Sequence, residues 1–307
     1  MLNMISRLYY EIMKNRKVKS NRAQADYFEL LVVRHISNLY KLAFPYAKDL
    51  NFLSNQILKL PNGTERLRLQ SYNLLKIRKG LGKILKYEIS KKGKVVEINW
   101  VGRKLAIKTT SDIDTKHQNN KYTRFSIKSI SETGTGTIKN LGMRSLNACL
   151  GITFDQEYRE MWQKLRNYSQ EHKISQSDLK RKVLRNKKLL AWATQNGQKY
   201  QRELNKMCLK GFNNLSRKRR TEFLNFILDT NDKDLYVIIV NSRGVIMYKP
   251  VEKGIELGQK IEAKGTSDVG YTIFIDNVPT YRIQTNATNG IGISAFCQRA
   301  FFADSQN

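Results

Sequence analysis

Apolar residues recur at helix-like spacings from Asn21 to Phe44 (NRAQADYFELLVVRHISNLYKLAF), where Tyr27, Leu30, Leu31, Ile36 and Leu39 carry the pattern. Asn21 or Asp26 can serve the first turn, and Pro45, which lacks an amide proton, stops the helix. A second helical pattern runs from Glu65 to about Ser90, with Leu67, Leu74, Leu75, Leu81, Ile84 and Leu85 set among many Lys and Arg. Near Lys94 the period shortens to two. VVEINW (95–100), KLAIKTT (104–110), SDIDT (111–115) and YTRFSIKSI (122–130) alternate between polar and apolar positions and predict a small, mostly antiparallel sheet. ETGTGTIKNLG (132–142) reads as a Gly/Thr loop leading into a helix through Leu150.

Helical pattern returns from Asp155 to Asp229, in two or three segments whose densest basic clusters are KRKVLRNKK (180–188) and SRKRR (216–220). From Leu235 to Phe302 the chain is β-like again: LYVIIV, a turn NSRG, VIMY, then GYTIFID and PTYRIQT. The fold class is therefore α/β (α+β), with a mixed central sheet flanked by helices, a helical arm and a C-terminal β region. Three regions follow: 1–152 with the N-terminal helices and the first sheet, 153–230 basic and helical, and 231–307 rich in strands. The division near 230 is a composition shift alone, so the regions need not fold separately.

Composition narrows the function classes. With 40% hydrophobic and 10% aromatic residues the chain is a packed globular protein. Its 55 Lys and Arg against 26 Asp and Glu give a net charge of +29. Such an excess repels itself in a compact state and points to a polyanionic partner, nucleic acid first among them, although coding bias also yields Lys- and Asn-rich chains. No apolar run reaches the roughly 18 residues of a membrane span, and MLNMISRLYYEIMKNRK lacks a signal peptide's apolar core, so no membrane association and a cytoplasmic location are expected. Cys149, Cys208 and Cys297 are isolated, which argues against disulfides and structural zinc. There is no GxxxxGK[ST], HExxH or GxSxG sequence, and His35, His117 and His172 are unpaired, so nucleotide hydrolases and histidine-based nucleases are disfavoured.

Phosphodiester hydrolysis needs carboxylates to hold a hard cation and a positive group beside the scissile phosphate. Alternate residues of a strand share a face. In YTRFSIKSI, Phe125 and Ile127 therefore point one way, into a core, while Ser126 and Lys128 point the other way, and SDIDT supplies Asp112 on the neighbouring strand. Two other runs meet the same loose pattern. Asp155 with Glu171 and Lys173 lacks strand alternation; Glu262 and Lys264, with Asp234 upstream, have β-like flanks and are the stronger rival.

The pieces TTSDI and FSIKSIS, followed by GTGTIKNLG, resemble the catalytic hairpin of the PD-(D/E)xK type II restriction endonucleases. The resemblance covers residues 95 to 150, with a looser likeness in the helix at 21–44. It implies a restriction-endonuclease-like core, a site-specific, Mg2+-dependent cut in double-stranded DNA leaving 5′-phosphates, a cognate DNA methyltransferase as functional partner, and a monomer or homodimer. Asp112 would be a metal ligand and Lys128 would position or help deprotonate the attacking water. Ser111 stands where the family pattern has proline, and Ser126 where it most often has an acid. The cation is then short of negative charge, and Glu29, on the helix before the sheet, is the first carboxylate to supply it, followed by Asp114 and Glu97. Gly134, Gly136 and Lys139 are placed to approach a phosphate, and Arg282, Gln284 and Asn286 carry side chains suited to base edges. Two other readings remain: a non-catalytic nucleic-acid-binding protein, and a repair or recombination nuclease of the same fold.

Overall fold

A computed structural model describes residues 20–101, 111–129, 137–152, 187–240, 244–256, 258–287 and 296–303, with a few single positions between 160 and 171. Two compact units cross the three regions read from the sequence: Met1–Gly136 with Asp229–Lys253, and Thr137–Leu228 with Gly254–Asn307.

The first unit begins with helices α1 (Ser20–Leu39), α2 (Ala47–Leu58) and α3 (Gly63–Lys92). Helix α1 stops before Pro45 is reached. Lys41 adopts a left-handed φ of 54°, which lets the Leu42 amide return to Ser37 O at 2.8 Å and the Lys41 amide to Asn38 O at 3.4 Å. That paired closure satisfies carbonyls the helix would otherwise leave open. Helix α3 starts against the end of α2 so closely that a Cβ on Gly63 would lie 2.5 Å from Ile57 O, which only glycine permits. The buried stripe of α3 runs Gln70, Asn73, Ile77, Leu81, Leu85, Glu88 and Lys92, steps of three and four that keep one face inward. Leu75, which the sequence pattern also drew in, is exposed.

Strands β1 (Val95–Trp100), β2 (Ile113–His117), β3 (Tyr122–Ser129), β5 (Leu235–Val240) and β6 (Val245–Tyr248) form a sheet in the order β1-β2-β3-β5-β6. The expected antiparallel run β1-β2-β3 is present and β5 joins β3 in parallel, so the sheet is mixed, as the fold class required. The run LYVIIV, assigned from sequence to the C-terminal region, is this interior strand between β3 and β6 and is buried at every position. Helices α1 and α3 cover one face, where Phe28, Val33, Ile77, Leu81, Phe125 and Ile238 pack together.

At both ends of the α3 stripe polar groups replace leucines. Asn73 donates to Ser129 Oγ at 2.9 Å and Ser129 donates to Gln70 Oε1 at 2.8 Å. At the other end Lys92 Nζ sits 2.6 Å from Glu88, 2.8 Å from Asp234 and 2.6 Å from Tyr122 O, while the Tyr236 hydroxyl donates to Glu88 at 2.6 Å. The network ties α3 to β3 and β5. Burial alone would raise the Glu88 pKa, but hydrogen bonds from Lys92 and Tyr236 and the charges of Lys92 and Lys249 outweigh it and hold the carboxyl below its ordinary 4.5. A depressed carboxyl contributes stability above the unfolded pKa and loses it as pH falls through the folded value. The melting temperature is therefore expected to fall more steeply between about pH 5 and 3 in the natural protein than in Glu88→Gln, as calorimetry across that range would show. Parallel slopes would mean that Glu88 takes no part in acid unfolding.

The second unit is an antiparallel sheet in the order β4-β10-β9-β8-β7, built from β4 (Thr137–Gly142), β7 (Ile261–Ser267), β8 (Gly270–Ile275), β9 (Val278–Ala287) and β10 (Phe296–Phe302). The segment read as the end of a Gly/Thr loop is thus strand β4, an edge of this sheet; the helix after it is present as α4 (Met143–Leu150). Helices α5 (Lys187–Asn214) and α6 (Arg217–Leu228) bury Leu204, Phe212 and Leu224 against Tyr271, Ile273 and Ile283. No helix among the described residues is long and apolar enough to cross a membrane.

Candidate active site

Asp112 sits one residue before β2 and is held from both sides. Its amide donates to Phe125 O at 2.8 Å, and its carbonyl accepts from the Val101 amide at 3.0 Å. Its carboxylate reaches across to β3: Oδ2 accepts the Ile127 N–H at 2.7 Å and the Ser126 hydroxyl at 3.3 Å. The alternation of β3 behaves as its sequence demands. Phe125 and Ile127 enter the core with the helices, and Ser126 and Lys128 leave from the other face. Asp112, Ser126 and Lys128 are thereby brought to one side of two adjacent strands. Ser126 is buried, while Asp112 and Lys128 are half-buried.

Two residues along β2, on the same face, Asp114 is already engaged. Ser111 Oγ donates to it at 2.6 Å and Arg124 Nε lies 3.9 Å away. Burial raises its pKa above the usual range; the Ser111 hydrogen bond and the Arg124 charge oppose that rise, and the Asp232 charge adds to it. Arg124 in turn pairs with Asp232 at 3.1 Å. The sequence reading passed over Arg124, yet it stands two residues before Ser126 on the face that carries Lys128, and the same period-two rule reaches it.

The structure brings the remaining residues singled out from sequence elsewhere. Glu29 is buried on α1, where its Oε2 accepts the Trp100 indole N–H at 2.8 Å. Trp100 is the strand partner of Ile113 and packs with the helix-covered core, so Glu29 stands on the opposite face of the sheet from Ser126 and Lys128. Glu97 is exposed on β1 and accepts from Asn99 at 2.9 Å. Gly134 and Gly136 lie outside the described residues. Lys139 belongs to β4 of the second unit, where Nζ donates to Phe226 O at 2.8 Å and lies 4.0 Å from the centre of that ring. Arg282, Gln284 and Asn286 alternate with buried Tyr281, Ile283 and Thr285 on β9, so all three leave from one face of the second sheet. The rival pattern separates: Asp234 belongs to the first unit, held by Lys92, while Glu262 belongs to the second, held by Lys260 at 3.0 Å.

The basic clusters also differ from one another. Most of 180–188 lies outside the described residues. In 216–220, Arg220 is spent on main chain, donating to Leu215 O at 3.1 Å and Ile261 O at 2.6 Å, and Arg217 donates to Gln259 O at 3.0 Å; Lys218 and Arg219 are exposed.

No family model matches the chain, and no curated protein matches it. Among solved structures, restriction endonuclease MspI in complex with its cognate DNA aligns with 72% of this chain and 96% of its own, at 15% identity and a TM-score of 0.24. That superposition is too loose to identify a fold, and the α/β class stated above rests on the two sheets and their helices.

Proposed function

We propose that this protein is a Mg2+-dependent endonuclease of double-stranded DNA, of the type II restriction kind, with Asp112, Ser126 and Lys128 at the reacting centre. The observation that carries the proposal is the placement of Asp112 and Lys128 on one sheet face, with the Asp112 carboxylate fastened to Lys128's own strand at 2.7 Å. Among the described residues no three His, Cys, Asp or Glu side chains gather as a metal site. Magnesium does not require such a cage, since it is held by one or two carboxylates together with substrate phosphates and water. Asp112 fits as its protein ligand, and Asp114 lies on the same face. Bound there, the ion supplies charge neutralisation and a more acidic water.

The chain's own residues do the rest. Ser126 and the Ile127 amide fix the Asp112 carboxylate. Lys128 presents a compact ammonium to the phosphate, where negative charge grows in the transition state, and orients the attacking water. Water's oxygen bonds to phosphorus, the bond to the 3′ oxygen breaks, and a 5′-phosphate and a 3′-hydroxyl remain. In this reading a cognate methyltransferase protects the cell's own DNA, and the enzyme acts in the cytoplasm as a monomer or homodimer.

A second reading is favoured by the neutral Ser126 and the engaged Asp114, which leave a cation short of negative charge: a nucleic-acid-binding protein without catalysis. Plasmid DNA incubated with the protein, with Mg2+ and with EDTA, separates them. Discrete fragments in Mg2+ alone support the restriction reading, and a smear points to an unspecific nuclease of repair or recombination. Retardation on a gel without cleavage in either condition selects the binder.

A further inference from the structure

The two faces of the second unit's sheet differ in kind. One carries Ala263, Tyr271, Ile273, Tyr281, Ile283 and Ala300 into the core under the helices. The other, by strand register, carries Lys264, Thr272, Arg282, Gln284, Arg299 and Asn140, with Phe274, Cys297 and Phe301 among them. Within these strands the one acid on that face is Glu262, on the far edge strand and paired with Lys260 at 3.0 Å. A face whose charges are mostly cations, with amides beside them and the Phe274 and Phe301 rings lying next to Lys264 and Arg282, on a chain of net charge +29, complements a polyanion and repels a second copy of itself.

One row on this face runs straight across three neighbouring strands. Asn140 on β4 is the register partner of Arg299 on β10, and Arg299 is the partner of Gln284 on β9. The row starts at the sheet's edge and ends at Gly270 of β8, the partner of Gln284, which contributes no side chain. Strands lie about 4.8 Å apart, so the row spans roughly 10 Å, within the width of about 12 Å of a major groove. Its composition is that of an edge reader and not of a phosphate clamp. One guanidinium fork suits guanine O6 and N7, and the two flanking amides suit adenine N6 and N7. Arg299 is half-buried, which limits its rotamers, while Asn140 is exposed. The two neighbours that the sequence singled out beside Gln284 are otherwise disposed: the Arg282 guanidinium lies 5.4 Å from the Phe301 ring centre, and the Asn286 amide donates to Gln284 O at 3.2 Å.

The geometry points to Asn140, Arg299 and Gln284 as a base-reading row for the major groove of duplex DNA, with Arg299 at its centre. This rests on the reading of the protein as one that acts on DNA, and it adds which residues set the sequence preference.

The test is selection of bound duplexes from a random pool in EDTA, followed by sequencing, with the natural protein, Arg299→Lys, Arg299→Ala and Gln284→Ala. Arg299→Lys keeps the charge and the fold but loses the fork. The natural protein is expected to select a short motif. Arg299→Lys and Arg299→Ala should each relax a guanine position, with about tenfold or greater loss on that motif relative to its variants, and Gln284→Ala should relax a different position. Selection of the same motif with the same stringency by all four proteins overturns the row, as does selection of no motif by the natural protein. Plasmid cleavage assayed separately keeps the two proposals apart. A motif that depends on Arg299 without any cleavage refutes the nuclease and leaves the row standing; cleavage with an Arg299-independent motif does the reverse.

Discussion

Asp112→Asn is expected to cleave plasmid DNA at least about a hundredfold more slowly than the natural protein, with duplex affinity measured in EDTA changed by less than about threefold. The amide is isosteric with the carboxylate, and its oxygen can still accept the Ile127 N–H that Oδ2 now accepts at 2.7 Å. Strand geometry is therefore preserved and only the negative charge is removed. A neutral oxygen is a poor ligand for a hard dication, so the loss falls on catalysis and leaves the binding surface intact. Cleavage rates in Mg2+ beside fluorescence anisotropy in EDTA check both halves. Full-rate cutting by Asp112→Asn would remove Asp112 from the reacting centre.

The second large effect is on stability. Lys92→Met leaves Glu88, whose side chain is 1% exposed, with the Tyr236 hydroxyl and a more distant Lys249 at 3.6 Å. Breaking a buried pair from one side leaves an uncompensated charge and costs about 3–5 kcal/mol, whereas replacing both members by apolar residues of similar size is often neutral. Urea denaturation should therefore show Lys92→Met far less stable than the natural protein, and the double variant Glu88→Leu/Lys92→Met restored for the most part. A loss below about 1 kcal/mol in the single variant would mean that water reaches the network and screens it.

What the sequence disclosed was local. The faces of β3 follow from alternation alone, so Ser126 and Lys128 could be separated from Phe125 and Ile127 without knowing any partner strand. The stripes of α1 and α3 follow from a 3.6-residue period only in part: Leu30, Ile36, Leu81 and Leu85 lie in the core as the pattern has them, whereas Leu39 and Leu75 are exposed. The end of α1 did not, because Lys41 takes a left-handed conformation that sequence usually signals with glycine or asparagine. LYVIIV was legible as a strand but not as the parallel neighbour of β3, since pairing across so long an excursion leaves no periodic trace. TIKNLG was taken for loop because its partner, β10, lies at the far end of the chain. Charged residues were the hardest to place. Arg220 and Lys139 look like solvated cations in sequence, and main-chain carbonyls hold both. Glu29 looks like a free acid, and an indole N–H occupies it.

The parallel pairing of β3 with β5 also governs when the protein can fold. As the chain leaves the ribosome, β1, β2 and β3 emerge early, but the strand that completes their sheet follows only after the whole of Thr137–Leu228 has been made. Until then β3 is an unfinished edge, open to pairing with other chains. Contacts this distant in sequence also slow folding, so the open edge of β3 outlasts its synthesis and exposes nascent copies to aggregation.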